Sequence, residues 1–483
     1  MTSKKLASLL IFGAVIASCG KDDVPETTNP VAVDLSTVFQ ETTDADGNAA
    51  IRITDKGQGI GSITLDNSKV YILDNFIFVN SGQTLTIPAG TVFKGEAGTG
   101  TDASALIVAK GGKVNAVGTA DNPIIFTSVS DNTNESNDIS PLTNGLWGGV
   151  IVLGNAKIND PAGSSAIEGI PTTETRGIYG GTDDTDNSGV FKYISIRHGG
   201  TDIGAGNEIN GFTCGAVGSG TVIEHIEVFA NFDDGFEFFG GKFNAKYLVS
   251  AYCGDDAFDW DQGFSGSIQY LLTVQSSGGL SNRGFEGNGV INEAGYSYDS
   301  EPKSIPTIIN GTFIGNNSTA ENTVAILRQG SGGHFYNNIW YNFGMGLKIE
   351  PTSTGEPIES ITRLISGDLN FKNNLFSKVI NKTTGTVATD LQGVANESSD
   401  DVETIVGAHL VDNGNVYDAA PGLQGFVIGT DGGLNPLLAA GSAADAVNPF
   451  VAAGFEPTDY IGAFGATNWA TNWTALSEYG FFD

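Results

Sequence analysis

The stretch GDDAFDWDQG (residues 254–263) places Asp255, Asp256, Asp259 and Asp261 around two aromatics within ten residues. Carboxylates at such density can act as an acid–base pair, ligate a hard cation, or cap turns. The same text recurs nearby. FDDGFEFFGG (232–241) aligns with it so that Phe236 meets Phe258 at a distance of 22, and SNRGFEGNG (281–289) brings Phe285 a further 27 on. The runs between them also correspond: TVIEHIEVFAN (221–231), NAKYLVSAYCG (244–254) and SIQYLLTVQSSG (267–278).

A repeat of 22 to 27 residues made of short β runs and Gly/Asn/Asp turns is the pattern of a β-solenoid. Each coil exposes backbone N–H and C=O groups that only the next coil satisfies, so equivalent side chains stack about 4.8 Å apart. Phe236, Phe258 and Phe285 are expected to form an internal column, with Ile223, Ile226 and Val228 lining the core. No sustained helical period appears before residue 200. The predicted class is all-β, a parallel β-helix over 46–483 as one domain, with long loops around 129–190 and 351–440.

Strand alternation sorts the acids. With Phe258 and Trp260 inward, Asp255, Asp259 and Asp261 point outward, and the neighbouring coil adds Asp233 and Glu237 to the same rows; Glu286 continues them. Two carboxylates stacked about 5 Å apart repel by roughly 3 kcal/mol at an effective dielectric near 20. Either a cation neutralises the row or it stays wet. Oxygen-only ligands favour Ca²⁺ over zinc or copper, so Asp233, Glu237, Asp255, Asp259 and Asp261 are the candidate metal site and Ca²⁺ the candidate cofactor. Asp234 and Asp256 have inward parity in the turns before the Phe column, with Arg283 next in line. They read as a structural ladder in which Asp caps backbone N–H groups and Arg283 pairs with the stack.

Catalysis finds less support. His198, His225, His334 and His409 are scattered and assemble no Ser/His/Asp set. Arg197, Arg283 and Arg328 each precede a Gly-rich turn and read as turn-stabilising forks. Trp147, Trp260 and Trp340 read as core or turn caps, with sugar stacking as the alternative. Cys214 and Cys253 stand 39 apart, either as buried thiols or, less favoured, as a disulfide.

Composition bounds the partners. With 23 basic against 55 acidic residues the net charge is −32, which repels nucleic acid and anionic membranes. The 67 glycines suit tight turns between short strands. Lys4 and Lys5 precede an apolar run (6–17) too short to span a bilayer, and Ile16-Ala17-Ser18-Cys19 resembles a bacterial lipobox. Residues 1–18 are therefore expected to be a signal peptide, Cys19 the lipidated residue, and 19–45 an acidic tether. Lys21-Asp22-Asp23 resembles a signal for export to the cell surface.

Residues 211–271, TLTIPAGTVFKG (84–95), VAILRQGSGGHFYN (324–337) and DYIGAFGATNWATNWT (459–474) together resemble a family of bacterial β-helix surface lipoproteins often loosely labelled multidrug transporters. The resemblance implies a right-handed parallel β-helix of the pectin-lyase type, sometimes found beside TonB-dependent receptors, and carries no established reaction. The expectation is a monomeric, lipid-anchored protein on the outer membrane that binds a glycan or serves an uptake or adhesion system. The alternative is a Ca²⁺-dependent polysaccharide lyase or hydrolase. GDDAF resembles the Gly-Asp-Asp of polygalacturonase-like hydrolases, but the Asn-Thr-Asp, Gly-His-Gly and Arg-Ile-Lys blocks of that pattern are missing.

Overall fold

A computed structural model of the chain describes residues 33–482, apart from 136–137, 205, 277–280, 292–295, 320–321, 351–357, 382–383, 396–399 and 428–431. The leader, Cys19 and the first part of the expected tether lie outside the described residues. Among the described residues no helix is long and apolar enough to cross a membrane.

Short β runs between turns stack into a parallel β-helix. One wall is a ladder of nine parallel strands, running from Phe76–Val79 through Ala105–Val108, Val150–Leu153, Phe212–Gly215, Phe236–Phe239, Phe258–Asp261, Arg283–Asn288 and Thr323–Arg328 to Met345–Ile349. The other walls belong to a larger sheet, with long strands such as Val222–Phe229, Asn244–Ala251 and Ser267–Val274 in parallel register.

Each long strand bends at one left-handed residue: Tyr193, His225, Tyr247, Tyr270 and Asn310 have φ between +51° and +65°. That conformation costs a non-glycine residue roughly 1–2 kcal/mol, and stacking offsets it. The rings of Tyr193, His225, Tyr247 and Tyr270 lie 4.1, 4.2 and 4.8 Å apart in sequence, and asparagines take over at Asn337 and Asn373.

Inside, equivalent residues meet as the repeat predicts. Phe236, Phe258 and Phe285 share one register row, with centroids 5.1 and 5.2 Å apart and rings within 18° of parallel. Ile223, Ile226 and Val228 are buried in the same core. Nearer the C-terminal end, a buried asparagine ladder supplies partners that apolar side chains cannot. The Asn338 N–H donates to Asn374 Oδ1 at 2.9 Å, and the Asn374 N–H to Asn415 Oδ1 at 3.0 Å.

Both ends of a solenoid leave an unpaired edge that must be covered. The helix Leu35–Val38 and the antiparallel pair Phe39–Thr43/Ala49–Thr54 cap the start, with Val38 in the core. The fold therefore begins inside the stretch expected to be tether. At the other end the chain doubles back, and residues 459–474, singled out by their resemblance, prove to be a strap. Phe464, Trp473, Leu476 and Phe481 pack on Phe229, Val249, Leu272 and Ile314. Glu227 accepts from the Ala475 and Leu476 N–H groups at 2.6 and 3.2 Å, and Arg197 pairs with Glu478 at 2.7 Å.

The expected long loops are partly regular. Segment 129–190 contains the wall strand Val150–Leu153 and the hairpin Ser165–Ala166/Ile178–Tyr179. Segment 351–440 contains the rung strands Leu369–Lys372 and Leu375–Ser377 and the helix Asp400–Asp412. Their apolar residues are spent on covering the helix, which loop-like composition conceals. Cys214 and Cys253 are both free and buried, and do not pair.

If the stacked column carries the core, Phe258→Ala lowers unfolding free energy by about 3–5 kcal/mol; guanidinium denaturation monitored by circular dichroism reads the loss.

Candidate functional site

One outward row of the nine-stranded wall defines the site. In register it reads Phe78, Ile107, Ile151, Thr213, Glu237, Asp259, Glu286, Ile326 and Lys348. Over Phe78, Ile107 and Ile151 the 154–188 insertion lays Ile167, Ile170 and Tyr179, forming a second apolar layer. Where that cover ends, three consecutive carboxylates begin.

They open into a cleft of about 330 Å³ lined by Glu168, Glu208, Asp233, Asp234, Glu237, Asp255, Asp256, Asp259, Arg283, Glu286 and Arg328. All eleven residues are ionisable. Nine carboxyls against two guanidiniums leave a formal charge of 2 − 9 = −7.

The arginines form ion pairs with Asp256 and Glu286 only. Arg283 Nη1 donates to Asp256 Oδ2 at 2.9 Å and to Glu286, while its own N–H donates to Asp256 Oδ1 at 2.9 Å. Arg328 pairs with Glu286 and donates from Nε to Asn288 Oδ1 at 2.7 Å. Among the other carboxyls two triads converge, Asp233/Asp234/Asp255 and Asp234/Glu237/Asp259, each with one oxygen per residue inside 4.8 Å of the others. They share Asp234.

Four of the five candidate metal residues, Asp233, Glu237, Asp255 and Asp259, thus come together. Asp261 does not: it lies opposite Phe239, outside the cleft lining, and its Oδ1 accepts the Gln262 N–H at 2.5 Å. Asp234 and Asp256 make the backbone caps of a ladder, Asp234 Oδ1 accepting the Asp256 N–H at 2.8 Å. Both also line the cleft, because they sit in turns, where strand alternation no longer separates inside from outside.

Of the two alternatives for the outward row, neutralised by a cation or wet, part of the row does not fit the second. Glu237 and Glu286 are only 6% and 4% exposed, and Asp259 Oδ1 is buried without a hydrogen-bond partner. Glu168 and Glu208, from segments whose position the repeat does not predict, close in from the side; the Glu168 carboxyl bonds Glu237, as does Asn210 Nδ2. Sequence carried no signal for them beyond acidic composition.

Burial dominates the titration. It raises Asp233 to about 8, reinforced by Glu208, Asp255 and Glu168, and Asp256 to about 7 against the opposing pull of Arg283. Burial lifts Asp261 to about 7 as well, and Asp234, Glu237 and Asp259 well above the carboxylate range, with their acidic neighbours adding to the effect. An oxygen-only site with a partnerless carboxylate oxygen fits a hard cation such as Ca²⁺.

The other sequence candidates do not join the cleft. Trp147, Trp260 and Trp340 are each 0% exposed, the first two donating to Arg197 O and Ser331 Oγ. Arg197 is buried under the strap. The histidines stay apart, His225 inside the ring stack and His198 bonded to Thr143 O and Tyr479 Oη.

Carboxyls with raised folded-state pKa values hold protons that the unfolded chain has lost. The contribution to stability is full below about pH 4 and disappears as pH rises through about 7 to 8. In chelator, melting temperature should therefore fall between pH 5 and pH 8, and Asp233→Asn should flatten that slope; scanning calorimetry across the range checks both.

Residues 57–420 match the family model of a pectate-lyase-like β-helix domain. No curated protein matches the chain. Among solved structures, the Dettilon tailspike protein is similar over 70% of this chain at 10% identity and a TM-score of 0.24, and the match spans 63% of the tailspike chain. The matched stretch, 420 − 57 + 1 = 364 of 483 residues, is most of the sequence, and the chain belongs to the pectate-lyase-like β-helix family.

Proposed function

We propose that this protein is a glycan-binding β-helix whose acidic cleft takes a hard divalent cation, Ca²⁺ foremost, and through it the carboxylate and hydroxyl edge of a polysaccharide. The observation that supports the reading is the pair of convergent carboxyl triads sharing Asp234, whose members form no ion pair with Arg283 or Arg328. Asp233, Asp234, Glu237, Asp255 and Asp259 are the residues that would hold the ion. Bound there, it supplies the positive charge that an anionic sugar needs in a wall of formal charge −7. The leader, Cys19 and the acidic stretch after it support a lipid-anchored monomer at the cell surface. In that setting the cleft would serve glycan capture for adhesion, or for an outer-membrane receptor of the TonB-dependent kind.

A second reading is a hydrolase or lyase. Asp256, lifted to about 7, would be half-protonated near neutral pH and so suited to exchanging protons, with Asp233, lifted to about 8, mostly protonated beside it.

The test uses the mature chain with polygalacturonate, alginate and a neutral glucan, in Ca²⁺ or chelator. Binding predicts Ca²⁺-dependent retention in affinity electrophoresis with no new unsaturated or reducing ends. Release of such ends, lost in Asp256→Asn, would move the assignment to an enzyme. By calorimetry, Asp234→Asn should weaken Ca²⁺ binding at least about tenfold, since the shared ligand serves both triads.

A further inference from the structure

The cleft's acids explain how charge is handled, but every residue lining it is ionisable, so the cleft offers nothing for the apolar face of a sugar ring. The tryptophans that might have served are buried. Next in sequence to a cleft residue stands a different aromatic. Phe232 is 46% exposed, and among the described residues it is the one exposed aromatic side chain. It directly precedes Asp233, which lines the cleft.

Phe232 is also held in place. Its N–H donates to Gly199 O at 2.9 Å. A Cβ added at Gly145 would come within 3.7 Å of its ring, and one added at Gly200 within 2.7 Å of its Cβ; at Gly254 a Cβ would strike its carbonyl oxygen at 1.9 Å. Gly200 and Gly254 thus approach the Phe232 backbone closely, and Gly145 and Gly200 have φ of +73° and +88°. Asn144 Nδ2 ties the adjoining loop to the same turn through Asn231 O at 3.3 Å. A ring carried on a backbone that is already held has less freedom to lose on meeting a ligand.

We propose that Phe232 is the stacking platform for a pyranose ring at the mouth of the acidic cleft, a role that rests on the glycan-binding reading of that cleft. The C–H face of a pyranose meets an aromatic face through dispersion and the ring's negative quadrupole, while the polar edge of the next sugar reaches the carboxyls. The substrate class is then a polysaccharide with a charged sugar neighbouring one that presents an apolar face.

The experiment compares the wild-type mature chain with Phe232→Ala and Phe232→Trp on polygalacturonate and alginate in Ca²⁺, with calorimetric Ca²⁺ binding and melting temperature measured on each. Phe232→Ala should weaken glycan retention roughly 3- to 10-fold, the size of one aromatic contact. Phe232→Trp should keep or strengthen it, with Ca²⁺ binding and melting unchanged in both. Wild-type retention that Phe232→Ala leaves intact would overturn the platform and spare the cleft. Absence of wild-type retention on both polymers would overturn the glycan reading, and the platform with it.

Discussion

Everything in this molecule depends on one constraint: the backbone amides of each rung are satisfied only by the rungs on either side, in strict register. Residues at equivalent positions must therefore stack about 4.8 Å apart, whatever their chemistry. For phenylalanine this is favourable, and Phe236, Phe258 and Phe285 make a continuous stack. For asparagine it is equally favourable, since an amide both donates and accepts along the axis, as Asn338, Asn374 and Asn415 do. For carboxylates it is costly.

The acidic row is consequently the informative exception. Glu237, Asp259 and Glu286 occupy three successive rungs at a point where hydrophobic, amide or hydroxyl residues would have satisfied the fold. Their neighbours in the same row, Ile151 and Thr213 on one side and Ile326 on the other, show what the position accepts without strain. Two arginines pair with Asp256 and Glu286, while burial and acidic neighbours push the Asp234 and Glu237 carboxyls well above the usual carboxylate range. Hard oxygen donors alone gather at this point of the row, which is the observation behind the proposed cation.

The same register explains how the two ends and the insertions share the work. The apolar half of the row is covered by the 154–188 insertion, and the acidic half is left open. On the opposite side the C-terminal strap seals the bend column, with Trp473 edge-on to Tyr193 and His225. One outer face is thereby closed to ligands and the other kept accessible over a short length.

Sequence by itself determined the coil. The recurrence of FDDGFEFFGG as GDDAFDWDQG placed the Phe column, the Asp caps and the Glu237–Asp259–Glu286 row, because register in a solenoid converts spacing along the chain directly into neighbours in space. It could not place what the repeat does not govern. Asp234 and Asp256 lie in turns, so strand parity misassigned them to the interior alone; Asp261 follows the parity yet ends beside Gln262, away from the cleft. Glu168 and Glu208 come from segments outside the repeat, and the stretch after residue 34 reads as tether because its few apolar residues show their purpose only against the first rung's open edge. Tertiary structure alone decided which acids share one cleft, since burial and cross-segment approach, unlike stacking, leave no period in the text.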